Sequence, residues 1–184
     1  MIEIVPETPA RHGEAIEALF DATFGPGHFA KTAERLREFS RSLPAVNRVA
    51  LYGGTVVGVC RVWPIRIGGL AALFYGPVAV TPSHRGAALG LQVTEAALEA
   101  GREAGWPVAL LIGAPAYFGR IGFQTVDAGR ILMPGPQDPA RIMVRALARG
   151  VETVSGPVMA DPAAALAALT PPGEEQDQSY GQRV

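Results

Sequence analysis

Residues 46–80 constrain the fold more than any other part of the chain. They read VNRVALY, Gly53-Gly54, TVVGVCRVWPIRI, Gly68-Gly69, LAALFYGPVAV. The three runs between the glycine pairs are rich in β-branched and aromatic residues, which suit a pleated, packed surface. Each Gly-Gly pair supplies the positive φ angles that a two-residue hairpin demands. The stretch is therefore predicted to be an antiparallel meander of three strands, which excludes an all-helical bundle and an all-parallel sheet. The third strand contains Gly76-Pro77, and a proline has no N–H to give to a ladder. Two readings follow: a bulge or splaying of the strand at that point, or an early strand end.

Around the meander the pattern changes to helix. Residues 1–5 read as an opening strand, and from Pro9 the apolar residues Ile16, Leu19, Phe20 and Phe24 recur at helical spacing until the GPG at 25–27. A second amphipathic helix is predicted over 29–43, stopping before Pro44. Thr81-Pro82-Ser83 breaks the meander, a helix is predicted over 88–104, and 106–112 has the apolar character of a strand buried on both faces. Strand, loop, helix and strand in that order imply a right-handed parallel crossover. After Phe123 come a short strand, a turn over 134–139, the strand-like RIMVRAL and a weaker strand candidate over 151–159. The expected organisation is one α/β domain over 1–169 and a polar, mobile tail over 170–184.

With 184 residues the chain is the length of one domain. Its 16 basic and 17 acidic residues give a net charge of −1, which leaves no global field to attract nucleic acid or an anionic membrane, so an anion must be held locally. The lone Cys60 has no disulfide partner, and with three dispersed histidines no metal site is expected. The start lacks the pattern of a signal peptide, and the longest apolar run falls far short of the roughly 20 residues that span a bilayer. A cytoplasmic protein is expected.

The segment PSHRGAALG, residues 82–90, joins the meander to the long helix. A glycine-containing turn running into a helix start leaves backbone N–H groups unpaired, with the positive end of the helix dipole behind them. That arrangement suits a pyrophosphate, or it is mere connection. Gly86 and Gly90 remove side chains where a ligand would approach, and Arg85 adds positive charge. Neither G-x-G-x-x-G nor a P-loop is present, which argues against a nicotinamide dinucleotide protein.

Taken together, VAVTPSHRGAALG, the helix after it, VALLIG and AYFGRIGF resemble the GNAT superfamily of N-acetyltransferases, within it a bacterial group of small acetyltransferases. The likeness runs in order over roughly residues 1–160. It implies an α+β fold whose central mixed, mostly antiparallel sheet is flanked by helices and splayed at an acyl-CoA site. It implies acetyl-CoA as acyl donor, its pyrophosphate on the amides of Arg85, Gly86, Ala87, Ala88, Leu89 and Gly90. The pantetheine arm would lie between the strand carrying Val78, Ala79 and Val80 and the strand ending at Ile112, with Phe118 nearby. Ala88 stands where the family usually has glycine; in a helical conformation its methyl is tolerated but narrows the phosphate's approach.

The resemblance also implies chemistry. The backbone N–H of Val78 would take the oxyanion. The family's tyrosine acid falls at Phe118, one residue after the hydroxyl of Tyr117, so Tyr117 is either a displaced acid or a core ring. No carboxylate or imidazole occurs in residues 68–83, where such enzymes often hold a base. His28 could reach a substrate mouth, while His12 and His84 read as surface histidines. Acceptor specificity is expected near 24–29 and on Arg61, Trp63 and Tyr75, with Arg61 and Arg66 hinting at an anionic group. The acceptor would be an amine of a small molecule or peptide, and a homodimer would fit the fold. The alternative is a catalytically weak acyl-CoA-binding or regulatory module.

Overall fold

The computed structural model describes residues 1–25, 32–86 and 88–169. His28, Ala87 and the tail over 170–184 lie outside the described residues.

The meander forms as its glycine pairs dictate. Strands β2 (Arg48–Tyr52), β3 (Thr55–Ile67) and β4 (Leu70–Val80) pair antiparallel, with Gly53, Gly54, Gly68 and Gly69 all at positive φ in the two turns. Strand β1 (Ile2–Pro6) adds antiparallel to β2. Helix α1 (Pro9–Phe24) follows β1, and helix α3 (Leu89–Glu103) links β4 to β5 (Val108–Ile112), which pairs parallel with β4. Strand β8 (Ile142–Ala146) is antiparallel to β5, and the two-residue β6 (Gln124–Thr125) pairs with its outer edge. Among the described residues the path runs β1-β2-β3-β4-β5-β8-β6, and β9 (Gly156–Ala160) joins the lower half of β3 and the short β7 (Ile131–Leu132).

Alternation along the strands sends side chains to two cores. On one face α3 lays Val93, Ala97 and Leu98 over Cys60, Val62, Leu73, Tyr75, Ala109 and Leu111. On the other, Ile16, Leu19 and Phe20 of α1 cover Val49, Leu51, Val59 and Ala79, while Leu36 covers Ile65, Ile67 and Phe74. No helix among the described residues is long and apolar enough to cross a membrane.

Three sequence expectations change here. Among the described residues the second helix is a single turn, α2 (Thr32–Arg35), followed by turns that end in an exposed Phe39 at φ 60°. Leu43, expected on that helix, instead donates its N–H to the Val62 carbonyl at 2.9 Å and packs under α3's face of the sheet, so tertiary pairing overrides the helical pattern. At Gly76-Pro77 the strand does not end. Cys60 pairs with Val78 and Val62 with Tyr75, so one residue of β3 opposes two of β4, a bulge, and β4 continues to Val80. Residues 162–169 form a helix, α5 (Pro162–Leu169), which the sequence reading omits. Asp161 caps it by accepting the Ala164 N–H at 3.1 Å.

Candidate active site

The bulge re-aims β4 just where it leaves its neighbour. Strands β4 and β5 pair only at Leu73–Ala109 and Phe74–Leu110. Beyond those residues they diverge, and β4 keeps its other partner, β3, through Gly58–Val80, Val59–Ala79 and Cys60–Val78. Thr81 donates its N–H to the Val57 carbonyl at 2.9 Å. Donor direction alternates along an antiparallel ladder, so Ala79 also points at β3, whereas the N–H groups of Val78 and Val80 point into the opening beside β5. Val80 bears this out, for its carbonyl accepts from Arg85 Nε at 3.4 Å on that side.

The opening leads to the loop before α3. Pro82–His84 form one 3-10 turn, Gly86 has φ 95°, and Ala88, the residue before the helix, sits at φ 55° and ψ 20°. This corrects the expectation of a helical Ala88: its backbone is left-handed, the conformation that favours glycine. No side chain caps α3. The Leu91 and Gln92 N–H groups turn back to the Ala88 carbonyl, and those of Leu89 and Gly90 have no acceptor among the described residues. The helix dipole adds positive potential at the same place.

A cleft of about 340 Å³ lies over these amides, lined by Val80, His84, Arg85, Gly86, Ala88, Leu89, Gly90, Tyr117 and Arg120. Its lining carries two guanidinium groups and no carboxylate, so it suits an anion. Arg120, from the GR pair of AYFGRIGF, is the cleft residue that sequence reasoning passed over. A cation three residues after Tyr117 was the available signal. His84 is turned within the loop, its Nδ1 3.1 Å from the Thr81 hydroxyl and its ring 5.2 Å from that of Tyr52.

Tyr117 and Phe118 lie on the single turn α4 (Pro115–Phe118) and diverge. The Phe118 ring packs on the Gly113 Cα, so closely that a Cβ there would collide with it, and it meets the Phe123 ring edge-on at 6.4 Å. Tyr117 reaches the other way. A Cβ added to Gly90 would stand 2.7 Å from its hydroxyl.

The residues expected to select an acceptor are placed differently. Arg61 is held between Glu7, at 2.9 Å, and Glu17, at 2.5 Å, with its guanidinium over the Phe20 ring. Burial works against its charge, but the hydrogen bonds to both carboxylates outweigh that and raise its pKa. It is therefore satisfied within the fold and does not offer itself to an anionic group. Arg66 pairs with Asp161 at 2.9 Å. Tyr75 is a core residue, its hydroxyl donating to the Ala97 carbonyl at 3.4 Å and its pKa pushed up by burial. His12 is buried rather than on the surface; its Nδ1 accepts the Thr8 N–H at 3.1 Å. Trp63 is half-buried beside the second core.

A sheet opened between two parallel strands, with turned-out amides on one lip and an uncapped helix start at its mouth, offers an anion a set of backbone donors. The family model of the acetyltransferase (GNAT) family matches residues 13–123, and the chain belongs to that family. Among solved structures it is similar to the GNAT family N-acetyltransferase YhbS from Escherichia coli, solved in complex with CoA, at 25% identity over 88% of this chain and 89% of that one, TM-score 0.72. A GNAT family acetyltransferase from Brucella melitensis, in complex with acetyl-CoA, shares the fold at 24% identity, TM-score 0.61, over 89% of this chain and 97% of that one. So does one from Staphylococcus aureus Mu50 at 14% identity, TM-score 0.55, over 80% of this chain and all of the other. No curated protein matches the chain.

Proposed function

We propose that this protein transfers an acetyl group from acetyl-CoA to an amine of a small molecule or peptide, in the cytoplasm. One observation carries the reading: the N–H groups of Val78 and Val80 turn into an opening that runs to the uncapped start of α3. The residues present fit the cofactor. Arg85, Gly86 and the amides of Leu89 and Gly90 would hold its diphosphate, with Ala88 and Ala87 in the same loop. Val78, Ala79 and Val80 would flank the pantetheine arm, and Phe118 would close the far side.

Bound acetyl-CoA supplies an activated acyl group as a thioester. In transfer the amine nitrogen forms a bond to the acyl carbon, the carbon–sulfur bond breaks, the amine gives up a proton and the thiolate gains one. The chain's contribution is the Val78 N–H, positioned for the oxygen that becomes negative. Strand β4 carries no carboxylate or imidazole, so the base that takes the amine's proton is not on that strand. A placed acid is worth about 10²- to 10⁴-fold in rate, and Phe118 cannot serve as one. A thiol with a pKa of about 8.5 leaves tolerably without help, so turnover is slow rather than absent.

The packing of Phe118 favours a second reading, an acyl-CoA-binding module with regulatory use. The two separate experimentally. Calorimetry on acetyl-CoA combined with CoA release across an amine panel near pH 8.5 gives binding and turnover for a transferase. It gives binding alone for the module, and the absence of both sinks each.

A further inference from the structure

We infer that the Tyr117 hydroxyl is a ligand for the cofactor's diphosphate and not the acid that protonates the leaving thiolate. This rests on the acetyl-CoA reading above.

The side chain is aimed at the phosphate loop. The rings of Tyr117 and Phe118 are 4.9 Å apart at 86°, so the two neighbours on α4 serve different surroundings. Phe118 goes to the end of β5, while the Tyr117 oxygen stands over the first turn of α3, where a Gly90 Cβ would be 2.7 Å from it and 3.6 Å from Val80 Cγ2. That contact gives Gly90 a physical reason, because any side chain there would displace the hydroxyl or the helix. The oxygen has no hydrogen-bond partner among the described residues, although it lines a cleft with Arg85, Arg120 and the free N–H groups of Leu89 and Gly90. The polar side chains of the lining and its free amides are donors or can act as donors, and a phenol O–H completes such a set around phosphate oxygens.

The thioester end lies elsewhere. Val78, whose N–H faces the opening, is two residues up the strand from Val80, about 7 Å at the rise of a β-strand. It is not among the residues lining the cleft. A hydroxyl standing over Gly90, in a cleft that Val80 lines and Val78 does not, is therefore offset from the sulfur's place and set over the diphosphate's.

The test compares Tyr117→Phe with the unaltered protein by calorimetry on two ligands, CoA and 3′-phosphoadenosine 5′-diphosphate, which keeps the diphosphate and lacks the thiol arm. Affinity should fall about tenfold for both, the size of a hydrogen bond to a charged group. KM for acetyl-CoA should rise by the same factor, with kcat at saturation and its pH profile unmoved. The ligand-free variant should melt with the unaltered protein, because the hydroxyl has no internal bond to lose. Wild-type affinity for both ligands in Tyr117→Phe, or a loss confined to kcat, would overturn the assignment. An unaltered protein that binds neither ligand would overturn the cofactor reading with it.

Discussion

Ala88 carries a left-handed backbone at φ 55°, which costs an alanine about 1–2 kcal/mol and a glycine almost nothing. Part of that gain is offset because glycine is freer in the unfolded chain. Ala88→Gly should therefore raise stability by about 1 kcal/mol, seen as a rise of about 2–4 °C in melting temperature, and tighten CoA binding in calorimetry. Arg61 shows the opposite case. Glu7, whose side chain is 2% exposed, also accepts from Asn47 at 2.7 Å, but among the described residues Arg61 is the cation that balances its charge. Arg61→Met should cost about 3 kcal/mol by urea denaturation, the scale of a buried charge left unpaired; the Glu17 contact, on an exposed carboxylate, adds little. The sequence displays a strand arginine but not its partners, since Glu7 lies 54 positions away and the pairing of β1 with β2 and of β2 with β3 is what sets the end of β1 beside Arg61. Cys60 is pushed up to about 12 by burial, against an ordinary 9.0. Its folded thiol keeps a proton that the unfolded chain loses, so stability should fall as pH rises from about 9 toward 12, and the native protein should resist alkylation at pH 8.

At the scale of elements, the meander was legible because two Gly-Gly pairs and three alternating runs specify hairpins locally. The bulge was half legible: proline without an N–H marks trouble in a strand, but its resolution depends on β3, which holds β4 on both sides of Gly76-Pro77. Helix α2 was overread because an amphipathic pattern does not reveal that Leu43 is claimed by β3. Helix α5 was missed although Asp161-Pro162 ahead of an alanine-rich run is a helix start in chemical terms. Asp161 both caps α5 and pairs with Arg66. Asp161→Ala should cost about 1 kcal/mol or more in denaturant unfolding, in line with a lost cap. Packing between α3 and β4 is equally demanding. A Cβ on Gly101 would collide with the Tyr75 hydroxyl and stand 2.9 Å from Leu73 Cδ1, so Gly101→Ala should destabilise by about 1–3 kcal/mol in the same experiment.

Over the whole molecule, the fold puts three features at one place: β4 bulged at Gly76-Pro77, β5 diverging after Leu110, and α3 starting without a cap. The phosphate loop was visible in the sequence as glycines and an arginine before a helix. The divergence of Tyr117 and Phe118 was not, because neighbouring side chains on one turn are sorted by what surrounds them, here Gly90 on one side and Gly113 on the other. The missing hydroxyl at the thioester predicts that Phe118→Tyr raises kcat at least tenfold with KM for acetyl-CoA little changed. Amine-dependent CoA release from acetyl-CoA at pH 8.5, across a panel of small amines and peptides with products weighed by mass spectrometry, decides whether the protein is a transferase. A transferase should release CoA above the no-amine rate with at least one acceptor and give a product heavier by one acetyl group. Saturable acetyl-CoA binding with no acetylated product from any amine would contradict that reading.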